Sequence, residues 1–246
     1  MAAPRPMFIL VGLPIVFVGL GYLLYRDLTR LPPPVAVPCI PSSPGEIAAT
    51  FSDIYARGRW GRNPDRTGTS GGGSTLAATT VYRAYVQDFL EHHQIRSVVD
   101  AGCGDWEFSR TIDWSGIDYK GYDVVPSVIA GNTAKYGSPT TRFFTADILA
   151  TDLPPADLLI CKDVLQHLPN QDVLRFLSQL GKYKYVLLTN TVDAETLTAN
   201  NDDIKVGEFH RLDMTRPPFD LPGKKVLTYF DGEHTHQVVL LVQTKR

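Results

Sequence analysis

Short apolar runs alternate with amphipathic segments along most of the chain, and this alternation restricts the fold more than any other feature. Strands that alternate with helices pair in parallel and carry helices on both faces of the sheet. Strands are predicted at 97–100, 119–124, 142–145, 157–161 and 185–189. Two last runs, 226–230 and 237–242, are joined by a turn too short for a helix, so they form an antiparallel hairpin. The sequence therefore predicts an α/β fold with a doubly wound, mostly parallel sheet of seven strands and a C-terminal antiparallel hairpin.

Composition limits the classes of function. The chain has 246 residues, enough for one sizeable domain and an appendage. Its formal net charge of −2 gives no general attraction to nucleic acid, and we expect none to bind. The three cysteines are too dispersed for a disulfide framework or a zinc site. His234 and His236 share a strand face but have no carboxylate partner there, so no metal is expected.

The N-terminal segment differs from the rest of the chain. Residues 8–25 carry no charge, and their number is near the minimum for a helix that crosses about 30 Å of hydrocarbon. The sequence therefore predicts a transmembrane anchor over 1–30, in contact with a lipid bilayer through 8–25. A cleaved signal peptide is the alternative, but no small-residue cleavage site follows the run. Prolines then predict an extended linker over 31–42, and the folded domain is expected over 43–246.

A glycine turn of sequence DAGCG ends the first predicted strand, with Asp100, Gly102 and Gly104 at its key positions. Glycines let the backbone turn tightly and approach a ligand, and a predicted helix over 106–112 would present free N–H groups to it. A dinucleotide-binding loop would carry a third glycine where this chain has Glu107. The carboxylate of Asp100 suits a cationic or hydroxyl-bearing ligand better than a pyrophosphate.

This turn resembles the D-x-G-x-G first motif of the class I S-adenosylmethionine-dependent methyltransferases, a Rossmann-like family. Later landmarks follow in the order of that family: Asp123 ends the second strand, and Asp147 follows the third. The segment 157–168 is similar to the fourth motif and the helix after it. The resemblance covers about 97–189 by motif and the hairpin by topology. It implies that the cofactor is S-adenosylmethionine.

The resemblance also implies which residues bind that cofactor. Asp123, with Val124 beside it, would accept hydrogen bonds from the two ribose hydroxyls. Asp147 would accept from the adenine amino group, and Ile148 would supply an apolar face. The glycines of the turn leave room for the homocysteine portion, and Lys162 would line the same pocket. Taken singly, Asp123 also fits a helix N-cap acid and Asp147 a plain loop acid.

Candidate catalytic residues follow the fourth predicted strand. Methyl transfer is an in-line displacement, so the protein aligns the nucleophile and, for a hydroxyl, removes its proton. Asp163 and His167 are four residues apart in a predicted helical stretch, which would place them on one face at the mouth of the site. His167 is the candidate general base, and Asp163 would orient it or contact the acceptor. The alternative is that His167 caps the helix before Pro169 or packs in the core.

Two loops are expected near the acceptor. Residues 67–74, rich in glycine and serine, form either a lid over the cofactor or a mobile linker. The long insert before the hairpin carries His210 and Arg211, and loops of this kind commonly recognise ligands. Its polar residues are expected to line the pocket and to suit a sugar, unless the insert is a solvated loop: Asn190, Asn200, Asn201, Asp202 and Asp203.

These features favour methyl transfer from S-adenosylmethionine to a small polar or glycan-type acceptor at a hydroxyl, with an amine or a carboxylate as further options. The alternative is a catalytically silent, cofactor-binding module tethered to a membrane as a scaffold. A nicotinamide-dependent oxidoreductase is disfavoured by Glu107. Because this cofactor is made in the cytosol, a cytosolic catalytic domain is expected; the flanking charges are too evenly divided to decide the orientation, so a lumenal domain is the alternative.

Overall fold

The computed structural model describes residues 42–61, 68–232 and 235–244. The predicted anchor at 8–25 lies outside these ranges, and so do nearly all of the linker and His234. Within the described ranges, no helix combines the length and the apolar character that crossing a membrane requires.

One seven-stranded sheet organises the described chain, in the strand order β3-β2-β1-β4-β5-β7-β6. The strands are β1 (Ser97–Ala101), β2 (Asp118–Asp123), β3 (Thr141–Thr145), β4 (Ala156–Lys162), β5 (Tyr183–Val192), β6 (Lys224–Phe230) and β7 (His236–Gln243). β7 runs antiparallel to β5 and β6, and the other pairings are parallel. The predicted α/β fold, with a mostly parallel sheet and a C-terminal hairpin, is confirmed.

Four α-helices accompany the sheet in the described ranges: α1 (Pro44–Arg57), α2 (Thr80–His92), α3 (Pro126–Tyr136) and α4 (Asn170–Leu177). α1 begins where the Ser43 side chain accepts a hydrogen bond from the N–H of Glu46 at 3.2 Å. It ends at Gly58, whose left-handed backbone (φ 60°) stops the helix. Helical spacing places its buried residues on one face: Ile47, Phe51 and Ile54.

Both faces of the central strands are buried. Leu159 of β4 and Val186 of β5 belong to a core shared with α1 and α4. Their neighbours Leu158 and Leu187 point the other way, into a core shared with α2. Burying each such side chain contributes roughly 1.5–3 kcal/mol. This explains why these strands have continuous apolar sequences, and it makes the sheet a firm base for the loops at its carboxyl edge.

The segment after the glycine turn is not the helix predicted over 106–112. It forms only a short 3₁₀ turn, Ser109–Thr111. Trp106 has a left-handed backbone (φ 60°), and its indole is buried against Tyr119 and Phe143. That conformation is incompatible with a right-handed α-helix. The prediction of a helix here, with its N–H groups facing a ligand, is wrong.

The predicted helical stretch after β4 is also interrupted. Asp163 has φ 56°, and a 3₁₀ turn over Leu165–His167 follows. Leu168 is extended (ψ 146°) because the next residue is Pro169, which disfavours a helical residue before it. Asp163 and His167 therefore do not lie on one face of a helix, as their spacing predicted.

Candidate functional site

A cavity of about 270 Å³ lies at the carboxyl edge of the parallel strands. Ligands of open α/β sheets bind at this edge. The structure brings to this one cavity every residue that the sequence predicted for cofactor binding or catalysis: Asp100, Gly102, Gly104, Asp123, Val124, Asp147, Ile148, Lys162, Asp163 and His167.

The glycine turn forms part of the cavity wall. Gly102 and Gly104 have φ values of 82° and 52°, which side-chain-bearing residues rarely adopt. A Cβ on Gly102 would lie 2.2 Å from a methyl of Val164, and one on Gly104 would lie 2.6 Å from Oγ of Ser70. The N–H of Gly102 donates to the carbonyl of Tyr122 at 2.8 Å. The turn therefore requires glycine at both positions, and β2 anchors it.

Asp123 is the last residue of β2 and is buried. Its Oδ2 accepts from the N–H of Gly104 and its Oδ1 from the N–H of Val125, each at 3.0 Å. Burial raises the pKa of Asp123 to about 6, and the hydrogen bonds from backbone amides oppose this rise. Each carboxylate oxygen retains a lone pair. The group can therefore accept from neighbouring hydroxyls of a ligand, with Val124 beside it as an apolar surface.

Asp100 lies on β1 and is also buried. The hydroxyl of Tyr119 donates to its Oδ2 at 2.5 Å. Burial raises the pKa of Asp100 to about 7, and the hydrogen bond from Tyr119 lowers it in part. Near neutral pH this carboxyl group is partly protonated, and a cation or a hydrogen-bond donor placed in the cavity would stabilise its ionised form.

Asp147 follows β3, and only one of its two carboxylate oxygens accepts a hydrogen bond from the described residues. Its Oδ1 accepts from the N–H of Leu149 at 2.9 Å. Its Oδ2 is buried and has no hydrogen-bond partner among the described residues. Ile148, 7 % exposed, lines the cavity next to it. A ligand amino group with a flat apolar ring would satisfy both residues.

Lys162 and Asp163 form an ion pair at the end of β4. The ammonium of Lys162 also donates to the carbonyl of Gly73 at 2.9 Å and lies 5.6 Å from the ring centre of Tyr82. Oδ1 of Asp163 is buried without a hydrogen-bond partner in the described chain. Asp163 thus pairs with Lys162 and makes no hydrogen bond to His167, contrary to its predicted orienting role.

His167 is oriented by a backbone carbonyl instead. Its Nδ1 lies 2.9 Å from the carbonyl oxygen of Glu208, so Nδ1 carries the proton and donates it. The imidazole contacts the rings of Trp60 and Phe209, with centroids 5.2 and 5.9 Å away. Burial lowers the pKa of His167, and the Glu208 carbonyl opposes this. Nε2 accepts no hydrogen bond from the described residues, so its lone pair is available for a proton.

A glycine-serine segment, residues 68–74, packs against the glycine turn. The carboxylate of Asp105 accepts from the N–H groups of Thr69 and Ser70, the latter at 3.2 Å. In return, Oγ of Ser70 accepts from the N–H of Asp105 at 3.0 Å. The hydroxyl of Tyr55 lies 2.8 Å from the same Oγ. Ser70 had been predicted only as part of the segment 67–74, and Asp105 had not been predicted at all. The position of Asp105, directly after the motif glycine, is the signal in the sequence that could have identified it.

The insert between β5 and β6 contributes less to the cavity than predicted. His210 is buried, with its Nδ1 2.5 Å from the carbonyl oxygen of Asp202, and neither residue lines the cavity. Asn201 holds the insert together by hydrogen bonds to the backbone of Asp213. The other residues proposed as a polar lining also lie away from it: Asn190, Asn200, Asp203 and Arg211. Asn190 belongs to β5 itself, and the carboxylate of Asp203 accepts from the backbone N–H groups of Asn170 and Ile204, so it supports the local backbone.

The cavity has two halves. We call the wall at the ends of β1, β2 and β3 the β1–β3 half, and it holds the acids at positions 100, 123 and 147. The β5–β7 half holds the predicted residues Asp163 and His167, together with residues that were not predicted from the sequence: Gln166, Thr191, Phe209, Asp231, Thr235 and Gln237. No local motif marks them, and two of them, Thr191 and Gln237, are brought together only by the register of β5 and β7.

Among the described residues, no cluster of three or more His, Cys, Asp and Glu side chains has the geometry to hold a metal ion. His236 is half-buried, and its predicted strand neighbour His234 lies outside the described ranges.

No protein-family model matches the sequence, and no curated protein matches it. Solved structures do. Magnesium protoporphyrin IX methyltransferase from Synechocystis, with bound S-adenosylmethionine, is 17% identical over 81% of this chain and 97% of that chain, with a TM-score of 0.55. Burkholderia thailandensis 1,6-didemethyltoxoflavin-N1-methyltransferase, with bound 1,6-didemethyltoxoflavin and S-adenosylhomocysteine, is 15% identical over 83% and 92%, with a TM-score of 0.58. At these identities the similarity establishes the fold, which is that of class I methyltransferases.

Proposed function

We propose that this chain transfers a methyl group from S-adenosylmethionine to a small polar or glycan-type acceptor, at a hydroxyl. The observation that carries the proposal is the convergence of Asp100, Asp123 and Asp147 on one cavity beside the glycine turn. The fold supports it, since the structures from Synechocystis and Burkholderia thailandensis contain S-adenosylmethionine and S-adenosylhomocysteine.

The residues of the β1–β3 half fit this cofactor. Asp123 accepts from the ribose hydroxyls with the lone pairs that Gly104 and Val125 leave unused. The unpartnered Oδ2 of Asp147 accepts from the adenine amino group. Asp100 would interact with the α-ammonium group of the cofactor, and that positive charge would favour the ionised form of its carboxyl group.

When bound, the cofactor would supply a methyl group attached to a positively charged sulfur, and the sulfur would keep the electron pair of the carbon–sulfur bond that breaks. His167 acts as the general base, and its Nε2 takes the hydroxyl proton while the acceptor oxygen bonds to the methyl carbon. The hydrogen bond from Nδ1 to Glu208 holds the lone pair on Nε2. The lowered pKa of His167 keeps the imidazole neutral near pH 7.

The location of the enzyme is part of the proposal. The uncharged run 8–25 anchors the chain in a membrane as a single helix, with the catalytic domain on the cytosolic side, where the cofactor is made. Cell fractionation tests this: the full chain is expected in the membrane fraction, and Val16→Lys should move it to the soluble fraction. Recovery of the unchanged full chain in the soluble fraction would overturn the anchor.

Calorimetry and mass spectrometry test the activity. The purified chain should bind S-adenosylhomocysteine and not NAD, and cell extract supplied with it should contain a species heavier by one methyl group. Absence of any heat from S-adenosylhomocysteine overturns the proposal. Binding without transfer to any species supports the catalytically silent module instead.

A further inference from the structure

The β5–β7 half presents buried hydrogen-bond acceptor atoms that have no donor. Gln237 is 2% exposed, and its Oε1 has no partner among the described residues. Oδ1 of Asp163 is likewise buried without a hydrogen-bond partner among the described residues. Both residues line the cavity. Buried acceptors are nearly always paired in folded proteins, so two such atoms in one cavity mark positions where a ligand places donors.

The amide of Gln237 is held in a fixed orientation. Its Nε2 donates to Oγ1 of Thr191 at 3.0 Å and lies 3.5 Å from Oδ2 of Asp231. Thr191 and Gln237 are register partners on β5 and β7, so this contact follows from the strand pairing. Since the nitrogen is used within the protein, the oxygen is the atom that remains for a ligand.

Aromatic rings form a second surface of the same cavity. Trp60, His167 and Phe209 all line it, and the imidazole contacts both of the other rings. Phe209 is 49% exposed, although it is a large apolar residue. Aromatic faces bind flat apolar faces and attract cations. A ligand with one flat apolar face fits this surface.

Charge restricts the ligand further. Asp163 and Asp231 both line this half, and Lys162 is the cation paired with Asp163. An anionic group near Oε1 of Gln237 would bring lone pairs against lone pairs and negative charge near Asp231. An N–H or O–H group at the same place would instead donate a hydrogen bond to Oε1 and would not be repelled by the negative charge.

We propose that Gln237 and Asp163 form a subsite that binds the methyl-accepting molecule. The subsite selects molecules that carry an N–H or O–H donor next to a flat apolar ring, and it rejects carboxylates. The inference rests on the proposed methyl transfer, and of the two acceptor types proposed there it favours a small polar molecule with a flat ring over a glycan.

Three probes with one carbon frame test the subsite: benzyl alcohol, benzylamine and benzoate. Binding of each to the full chain, saturated with S-adenosylhomocysteine, is measured by ligand-observed NMR titration. The alcohol or the amine should bind at least about tenfold more tightly than benzoate, which corresponds to about 1.4 kcal/mol. Comparing the alcohol with the amine distinguishes a neutral from a cationic acceptor. Equal or tighter binding of benzoate, or no binding of either donor at millimolar concentration, overturns the subsite.

Variants locate the effect. Gln237→Leu should weaken the better donor probe about tenfold, and Thr191→Val, which frees the amide to rotate, should weaken it less. Gln243→Leu, at the other end of β7, is the matched control and should have no effect. S-adenosylhomocysteine affinity is measured on every variant and should change less than about twofold, which also verifies folding. If that cofactor fails to bind the unchanged chain, the proposed function fails; if it binds but Gln237→Leu retains probe affinity, only the subsite fails.

Discussion

The two halves of the cavity are built in different ways. In the β1–β3 half the contacts of the three acids span at most 19 residues: Asp123 and Asp147 each accept from the amide two residues on, and the longer contacts join neighbouring strands or their ends. In the β5–β7 half they are long: His167 contacts a carbonyl 41 residues away, and Gln237 contacts a hydroxyl 46 residues away. One half is therefore assembled by strand ends and their turns, and the other by tertiary packing.

The halves also differ in ionisation. Burial raises the pKa of Asp100 to about 7 and that of Asp123 to about 6, so the β1–β3 half holds carboxylates that gain from a cation. Burial lowers the pKa of His167, so the other half holds a neutral base. We infer that the first half serves binding and the second serves proton transfer, and substitutions that separate affinity from turnover test this division.

The largest expected effect is on turnover. His167→Ala removes the proton acceptor, so the turnover number should fall roughly 100-fold or more while the affinity for S-adenosylhomocysteine is unchanged. The measurements are methyl-transfer rates and calorimetric titration. His92→Ala, at an exposed helix end, is the matched control. Near-normal turnover in His167→Ala would assign the imidazole to packing alone.

The next effect is on affinity. Asp123→Ala removes a charged acceptor for two hydroxyls, so cofactor binding should weaken by about 2 kcal/mol, roughly 30-fold. Turnover at saturating cofactor should change far less. Asp118→Ala is the control, because it alters an aspartate at the opposite end of the same strand. An unchanged dissociation constant in Asp123→Ala would remove this residue from the ribose site and weaken the division between the halves.

The same difference explains what the sequence could predict. The acids of the β1–β3 half come directly at or after strand ends, so strand prediction alone places Asp123 and Asp147 at the correct edge. Gln237 has no such marker, because its role depends on the register between β5 and β7. The prediction of helices failed at two places where a single residue decides the local conformation. Trp106 has a left-handed backbone in the first predicted helix, and the extended residue before Pro169 interrupts the second.

A smaller effect concerns stability. The pKa of Asp100 is raised from 3.8 to about 7 in the folded chain, so its contribution to stability is present below pH 3.8 and lost as pH rises through 7. Asp100→Asn keeps an acceptor for the Tyr119 hydroxyl and removes the buried charge. At pH 8 the free energy of unfolding should rise by about 1–2 kcal/mol, and at pH 4 it should change little.

Urea denaturation of the unliganded chain at both pH values measures the effect of Asp100→Asn. Its cofactor affinity should fall, since the positive portion of the ligand loses its counter-charge. If Asp100→Asn does not raise the free energy of unfolding at pH 8, the buried charge of Asp100 does not destabilise the unliganded fold, and the prediction is wrong.

The smallest effect tests the segment that contacts both halves. Ser70 accepts from the N–H of Asp105 beside the glycine turn, and the carbonyl of Gly73 accepts from Lys162. Ser70→Ala removes the first attachment, so the segment should open more often and S-adenosylhomocysteine should dissociate about fivefold faster, a change of about 1 kcal/mol. Stopped-flow dissociation measures this, with Ser178→Ala, which loses an exposed hydroxyl hydrogen bond, as the control. Because the attachment lies on the cofactor side, the pH dependence of turnover set by His167 should stay unchanged; a shifted profile would mean that the two halves are coupled through this segment.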